Sequence, residues 1–509
     1  MTWPWPEVAL ILVLALAAPV VAPIVLNQNQ YLVHVFADRG TALDADWLIG
    51  AVDPYPFFTA VTRVVVDFSG LTGIRFMAWL GTVVWLSGVY GLARVLAPPA
   101  HRRGIALVAT ILVATTVAPI LSAIPVPGVN RFSAFSGFAG QYLGGYLQPS
   151  VFGCLLLAAF PLWVLARRAP AGARIKPTAA AISLTALGCM LHPTYLVAVA
   201  VGLAAAAIAD LWQRDAPRVR WYALIGIGVL APALAANPSL LAIGGAAVES
   251  SEAIQRFAFE RIPHHTLWTN WPRSDLLYVL LIVFAAWWLW RSGVDAWLAG
   301  WLSAGLALAL TAALVVGLTR SATSALLFPW RISVFLVPIA ATALAIAMAR
   351  AIGGALNRSR VGRSAARNRW IGRSTVAVAA LILAAIGLLA TSRSVPPSIS
   401  DDAVALVRTS KVTGVGIIPL SEENIRLNAR VPIYVDWKSP PYASADLVEW
   451  WTRVDHVRAF ELDAEAFCSI AWRQRIDWIL MPADLTTPTC ANDWATAGET
   501  DEWLVLRRP

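Results

Sequence analysis

EVALILVLALAAPVVAPIVL (residues 7–26) carries no charge after its first residue and is followed at once by NQNQYLVHVFADRGTALDADWLIGAVDPYPFFT (27–59), which holds Asp44, Asp46, Asp53 and His34. A run of about twenty apolar residues is long enough to cross a bilayer as a helix. The start, MTWPWP, lacks the cationic stretch of a secretory signal, so the run reads as a retained span. The loop behind it then places an acidic cluster against the membrane.

The rest of the chain repeats this grammar. Hydrophobic residues make up 58% of the 509 and charged ones only 14%, and mean hydropathy is +0.65. A soluble globular chain is nearer one-quarter charged, so the composition predicts an integral membrane protein. Apolar windows of roughly 17 to 22 residues fall near 7–26, 74–96, 104–124, 150–166, 177–192, 195–212, 221–237, 275–290, 297–318, 330–350 and 374–391, about eleven spans. The windows at 177–192 and 195–212 are separated only by HPTY.

The net charge of +9 is no nucleic-acid footprint. Residues 392–509 hold 17 acidic and 12 basic side chains, so the excess lies in the first 391, clustered in short loops. Arg102, Arg103, Arg167, Arg168, Arg174, Lys176, Arg214, Arg218, Arg220, Arg291 and the arginines of 350–373 all fall on one face if there are eleven spans. That face is expected to be cytoplasmic, with the N-terminus. Loops 27–73, 125–149, 238–274 and 319–329 and the tail are then extracytoplasmic, in the inner membrane of a bacterium.

Two domains are expected: a polytopic membrane domain over 1–391 and a soluble α/β domain over 392–509. In the tail, GVGIIPL (414–420), VPIYVDW (431–437), IDWILMP (476–482) and EWLVLRR (502–508) read as strands. ADLVEWWTRV (445–454) and AEAFCSIAWRQR (464–475) read as amphipathic helices. Cys468 and Cys490 lie in this tail and could pair in an oxidising compartment, whereas Cys154 and Cys189 lie in apolar runs.

Polar groups gather on the face opposite the basic loops, and five of the six His fall there. They include His34, Asp44, Asp46 and Asp53, Arg131, Gln141 and Tyr142 in RFSAFSGFAGQYLGGYLQPS, and His192 in LHPTY. Arg261, His264 and His265 in ERIPHHTLWTNW and Arg331 in FPWRIS complete the set. A carboxylate at the lip of a bundle can serve as general base, and Arg or His can hold a phosphate. Each residue also has a plainer reading: Asp44 as a helix cap, Asp53-Pro54 as a turn, Arg331 as a snorkelling side chain. No phosphate-cradling Gly loop, HExxH, GxSxG or CxxC occurs at a usable place, so nucleotide-driven transport and serine or zinc hydrolysis are unsupported.

This layout resembles the GT-C superfamily of polytopic glycosyltransferases, which have many spans, an acidic motif in the first extracytoplasmic loop and often a C-terminal extracytoplasmic domain. More narrowly, NQNQYLVHVFADRG, LDADWLIGAVDPYPFF, GQYLGGYLQPSVFG, LHPTYL, RIPHH, FPWRIS, VDWKSPPY and LVEWWTR resemble a bacterial family carrying the DUF6798 domain of unknown function. The GT-C resemblance implies that Asp44 or Asp46 occupies the first-loop acidic position, with Asp46 favoured because Trp47 can shield it. It implies inverting transfer of a sugar from a polyprenyl-phosphate donor to a glycan, lipid or protein hydroxyl, with no cofactor required and weak support for a divalent metal. The alternatives are a transporter or flippase of a lipid-linked or anionic solute, and a non-catalytic assembly protein. Few charges lie mid-span and no internal repeat is evident, which weighs against transport.

Overall fold

The computed structural model describes residues 5–16, 24, 27–37, 39–116, 138, 147–213, 219–238, 250–271, 274–358, 399–463 and 465–509. The chain folds into two compact units. The first comprises Met1–Val21, Arg75–Ala236 and Phe257–Ser394; the second comprises Ala22–Ile74, Asn237–Arg256 and Val395–Pro509. The first loop and part of the loop at 238–274 thus group with the tail, where the sequence suggested a single cut at 391/392.

The first unit is helical. Among the described residues, five helices are long and apolar enough to cross a membrane: Leu71–Leu96, Pro149–Arg168, Tyr195–Trp212, Ala296–Thr319 and Ala322–Arg350. Four shorter apolar helices accompany them: Trp5–Leu16, Ile175–Leu191, Trp221–Ala236 and Tyr278–Ser292. The protein is a multi-pass membrane protein. The window at 374–391 lies outside the described residues, as do the ends of those at 7–26 and 104–124. The HPTY break is real: one helix ends at Leu191 and the next begins at Tyr195. Pro193 disfavours the α conformation for the residue before it, and His192 is indeed extended (φ −146°, ψ 90°).

Helix Gly153–Arg168 packs on Ile175–Leu191, Tyr195–Trp212 on Ala296–Thr319, and Ser274–Ser292 on both Ala296–Thr319 and Ser333–Arg358. Small residues permit close crossings. At Gly88 a Cβ would come 2.9 Å from the Ala158 nitrogen, so a methyl group there would push Leu71–Leu96 off its neighbour.

The second unit holds a four-stranded sheet. Strands β1 (Gly416–Ile417), β2 (Trp478–Pro482), β3 (Ala495–Glu499) and β4 (Trp503–Arg507) lie in the order β1-β2-β4-β3. β1 is parallel to β2, with Gly416 opposite Trp478; β4 is antiparallel to both its neighbours. Gly416 is required because a Cβ there would sit 2.0 Å from the Trp478 indole. Helix Ile399–Ser410 covers the sheet, and Ala403, Val407, Ile418, Ile433, Trp478, Leu480 and Val505 form their shared core. Helices Ser444–Leu462 and Ala466–Gln474 follow the sequence reading. VPIYVDW departs from it. Only Ile433 makes a ladder contact, with Gly416, and its own N–H donates to the Asp46 carboxylate at 3.0 Å. The sheet gains its edge from ATAGE (495–499), a run too small and polar to read as a strand.

Candidate functional site

Within the first unit, two chain turns meet. His192 follows one helix and Thr194 precedes the next. Arg331 sits in the single turn Pro329–Ile332, entered through Phe328, whose φ of 47° is left-handed. That conformation is costly for a bulky residue and turns the chain sharply. Arg331 Nη1 donates to Thr194 Oγ1 at 3.1 Å, and Thr194 Oγ1 lies 3.0 Å from His192 Nε2. The Arg331 guanidinium also stacks on the Phe328 ring, 4.0 Å from its centroid. His192 is buried, and the Thr194 hydroxyl can accept from Arg331 while its own proton is directed at the imidazole.

Aromatic packing steadies this turn. Trp330 meets Trp271 at a centroid distance of 5.6 Å, and Trp271 meets Phe138 at 5.7 Å. The Phe138 N–H donates to Asp275 at 2.9 Å and its carbonyl accepts from Ser333 Oγ. The Tyr195 hydroxyl donates to the Ser150 carbonyl. His264 and His265 share a short helix, Pro263–Thr266, with ring centroids 4.1 Å apart, and Arg261 closes the turn before it; all three are half-buried. Beside Trp268 and Trp271 opens a cavity of about 500 Å³, walled by Leu276, Val279, Leu310 and Leu314 with Asp275 at its edge. Arg131, Gln141 and Tyr142 lie outside the described residues.

Within the second unit, the first loop is built around a buried ion triad that the sequence reading missed. Asp46 is 3% exposed. Its Oδ1 accepts from the Leu48 N–H at 3.0 Å and so caps the short helix Trp47–Gly50. Its Oδ2 accepts from Arg426 Nε at 2.9 Å and from the Ile433 N–H at 3.0 Å. Arg426 is fully buried and also pairs with Asp436. Asp46 therefore acts here as an anchor between segments 380 residues apart; a carboxylate already holding three donors in a dry site is poorly placed to take a proton. The Trp47 ring lies under the Arg453 guanidinium at 4.8 Å.

Asp44, two residues earlier, is exposed. Its carboxylate accepts from the Thr41 N–H at 3.1 Å and the Arg39 N–H at 3.4 Å, in a capping box closing the turn Ala42–Ala45. Asp53 is half-exposed and accepts from the Tyr55 N–H at 2.8 Å, a local turn. His34 is buried, and its carbonyl accepts from Arg63 at 2.6 Å. Asn29 donates to Asn424 at 3.0 Å, and Gln30 to the Pro440 carbonyl at 2.6 Å. Near the triad, Glu422 and Glu423 are both buried, and burial together with the Asp436 charge pushes the Glu423 carboxyl up to about 7. A disulfide joins Cys468 and Cys490. Among the described residues no three His, Cys, Asp or Glu side chains gather in a metal-binding arrangement. The signal for Arg426 was faint: it is one of twelve basic residues in the tail, and nothing in its neighbours marks it as buried.

No curated protein matches the sequence. Residues 406–457 match the model of a domain of unknown function, DUF6798. The fold matches solved structures. The oligosaccharyltransferase of Archaeoglobus fulgidus, tethered to an acceptor peptide containing an NVT sequon, superposes with a TM-score of 0.52 at 11% identity, covering 94% of this chain and 68% of that one. ArnT from Cupriavidus metallidurans, bound to undecaprenyl phosphate, superposes with a TM-score of 0.51 at 13% identity, covering 98% of this chain and 96% of that one. The chain has the fold of the GT-C membrane glycosyltransferases.

Proposed function

We propose that the protein transfers a sugar from a polyprenyl-phosphate donor to an extracytoplasmic hydroxyl, with inversion. The observation that carries this reading is the Arg331–Thr194–His192 cluster, a half-buried guanidinium oriented by a hydroxyl and an aromatic ring in a GT-C fold. Such a guanidinium suits a lipid phosphate, because it can form two parallel charge-assisted hydrogen bonds. The ArnT neighbour holds undecaprenyl phosphate and the oligosaccharyltransferase neighbour an acceptor peptide, which supports both halves of the reaction. The cavity walled by Trp268, Leu276, Val279, Leu310 and Leu314 suits the prenyl chain.

In the reaction the acceptor oxygen attacks the anomeric carbon while the bond from that carbon to the phosphate oxygen breaks. The departing lipid phosphate keeps the electron pair, and Arg331 stabilises its charge. The acceptor proton goes to a carboxylate. Of the two first-loop acids, Asp44 is the one exposed to solvent, so it takes the role of base, and Asp46 positions the loop. No metal is required, because protein cations carry the leaving group's charge. The basic short loops face the cytoplasm of a bacterial cell, and the first loop and tail face outward.

The test uses the full chain in phosphatidylcholine nanodiscs. Undecaprenyl phosphate is expected to bind more tightly than uncharged undecaprenol, and Arg331→Gln to remove about tenfold or more of that preference. Equal binding of the two lipids overturns the donor reading. Asp44→Asn is expected to abolish sugar transfer in cells or membranes while leaving lipid binding and unfolding temperature unchanged. Full transfer by that variant removes Asp44 as base.

A further inference from the structure

We infer a second anion site, for a phosphate ester, at the other end of the first unit's helices, distinct from the Arg331 cluster. A cavity of about 620 Å³ opens there, lined by Arg102, Arg167, Arg168 and Arg350, with Asp295 as the one acid among the described residues of its wall. It lies at the end of helix Tyr195–Trp212, marked by Gln213 in the lining. His192 precedes the start of the same 18-residue helix, so the two sites are about 27 Å apart along it.

Two of the arginines are fixed. Arg167 pairs with buried Asp210 at 2.6 Å and lies over the Trp297 ring at 4.7 Å, while the Tyr222 hydroxyl donates to the other Asp210 oxygen at 2.6 Å. Arg168 donates to Asp295 at 2.5 Å and to the Val95 carbonyl at 2.8 Å, and Asp295 itself caps helix Ala296–Thr319 through the Leu298 N–H. These acids are spent on holding the wall. The other two arginines, Arg102 and Arg350, are exposed, and neither has a hydrogen-bonding or ionic partner among the described residues. Among the described residues, four guanidiniums against Asp295 and Asp210 leave a surplus of two positive charges around the cavity.

Arg102 adds a further argument. It opens the helix Arg102–Thr116, where the backbone dipole is already positive and a cation is unfavourable. A bound anion relieves both the dipole and the crowding of like charge. The occupant is phosphate-bearing because guanidiniums match phosphate oxygens in geometry as well as charge. The apolar helices Leu71–Leu96, Pro149–Arg168 and Tyr195–Trp212 all terminate beside the cavity, with Trp297 in its wall, which is the depth of lipid headgroups.

The experiment uses the full chain in phosphatidylcholine nanodiscs with two probes. One arm adds phosphatidylglycerol and counts retained lipid by native mass spectrometry; the other titrates inorganic pyrophosphate by calorimetry. Wild type is expected to prefer phosphatidylglycerol to phosphatidylcholine, and the double variant Arg102→Gln/Arg350→Gln to bind about tenfold or more weaker. Both residues are exposed and without partners among the described residues, so the variant should keep the wild-type unfolding temperature; the Lys pair is expected to restore most of the binding. Binding in the first arm alone makes the ligand a headgroup, and binding in both admits a free phosphate. A wild type that binds neither probe, or a Gln pair that binds as well as wild type, overturns the site. Neither residue belongs to the proposed transfer machinery, so this outcome is independent of sugar transfer.

Discussion

Replacing Asp46 by Asn tests whether this acid is an anchor. The asparagine oxygen can keep the Leu48 cap, but the amide nitrogen then faces two donors, Arg426 Nε and the Ile433 N–H. Each buried donor left without an acceptor costs about 1–3 kcal/mol, so the pair costs about 2–6 kcal/mol. Arg426 still holds Asp436, which keeps the penalty below that of a fully orphaned buried charge. For a unit of this size, each kcal/mol moves the midpoint by about 2–4 °C, so a fall of roughly 4–24 °C is expected. The assay is thermal unfolding of the purified full chain, with limited proteolysis reporting release of residues 27–59. Asp44→Asn serves as the comparison and is expected to shift the midpoint by no more than about 2 °C, since its carboxylate is exposed. Arg426→Met should cost more than Asp46→Asn, because it leaves two buried carboxylates facing each other. An Asp46→Asn protein that unfolds within about 1 °C of wild type would refute the anchor.

Glu423 has its folded pKa raised from the ordinary carboxylate range to about 7, so the folded state holds the proton more tightly than the unfolded one. Its contribution to stability is full at low pH and is lost as the pH rises through about 7; Glu423→Gln should flatten the fall in unfolding midpoint between pH 5 and 8. Replacing Cys468 and Cys490 by Ser removes a crosslink across a sequence separation of 22, and should lower the stability of the second unit by about 3 kcal/mol in urea. Arg256 pairs with both oxygens of Asp455 at 2.8 Å and covers the Trp451 ring at 3.9 Å; Arg256→Ala should cost about 1 kcal/mol, read from the same unfolding curves, and less at high salt.

Much of the helical unit was legible because its cause is local. In a bilayer each apolar run must satisfy its own backbone, so TAALVVGLT or AAISLTALGCML declares a helix without knowing its neighbours. His192 and Arg331 were legible as polar residues at helix ends, although Thr194, the hydroxyl between them, carried no signal of its own. Asp44 and Asp46 stood out as a pair, and Asp46 is indeed the shielded one, but the groups that bury it were not legible. The neighbour Trp47 argued for shielding Asp46, whereas burial of Asp46 comes from Arg426 and Ile433, nearly four hundred residues away. The strand at 495–499 was hidden for a similar reason: ATAGE has no apolar alternation, and it is a strand because β4 offers it an edge.

Sequence by itself determined that this is a multi-pass helical membrane protein with an acidic loop after its first apolar run and a small mixed domain at its end. Composition and periodicity carry that information, because transfer from water to lipid depends on residue type over one short stretch. Only the tertiary structure decided which acid is buried with Arg426 and which faces solvent, and that the first loop groups with the tail in one unit. Those outcomes depend on which distant donors reach a carboxylate, and a buried charge is tolerated only where such partners arrive.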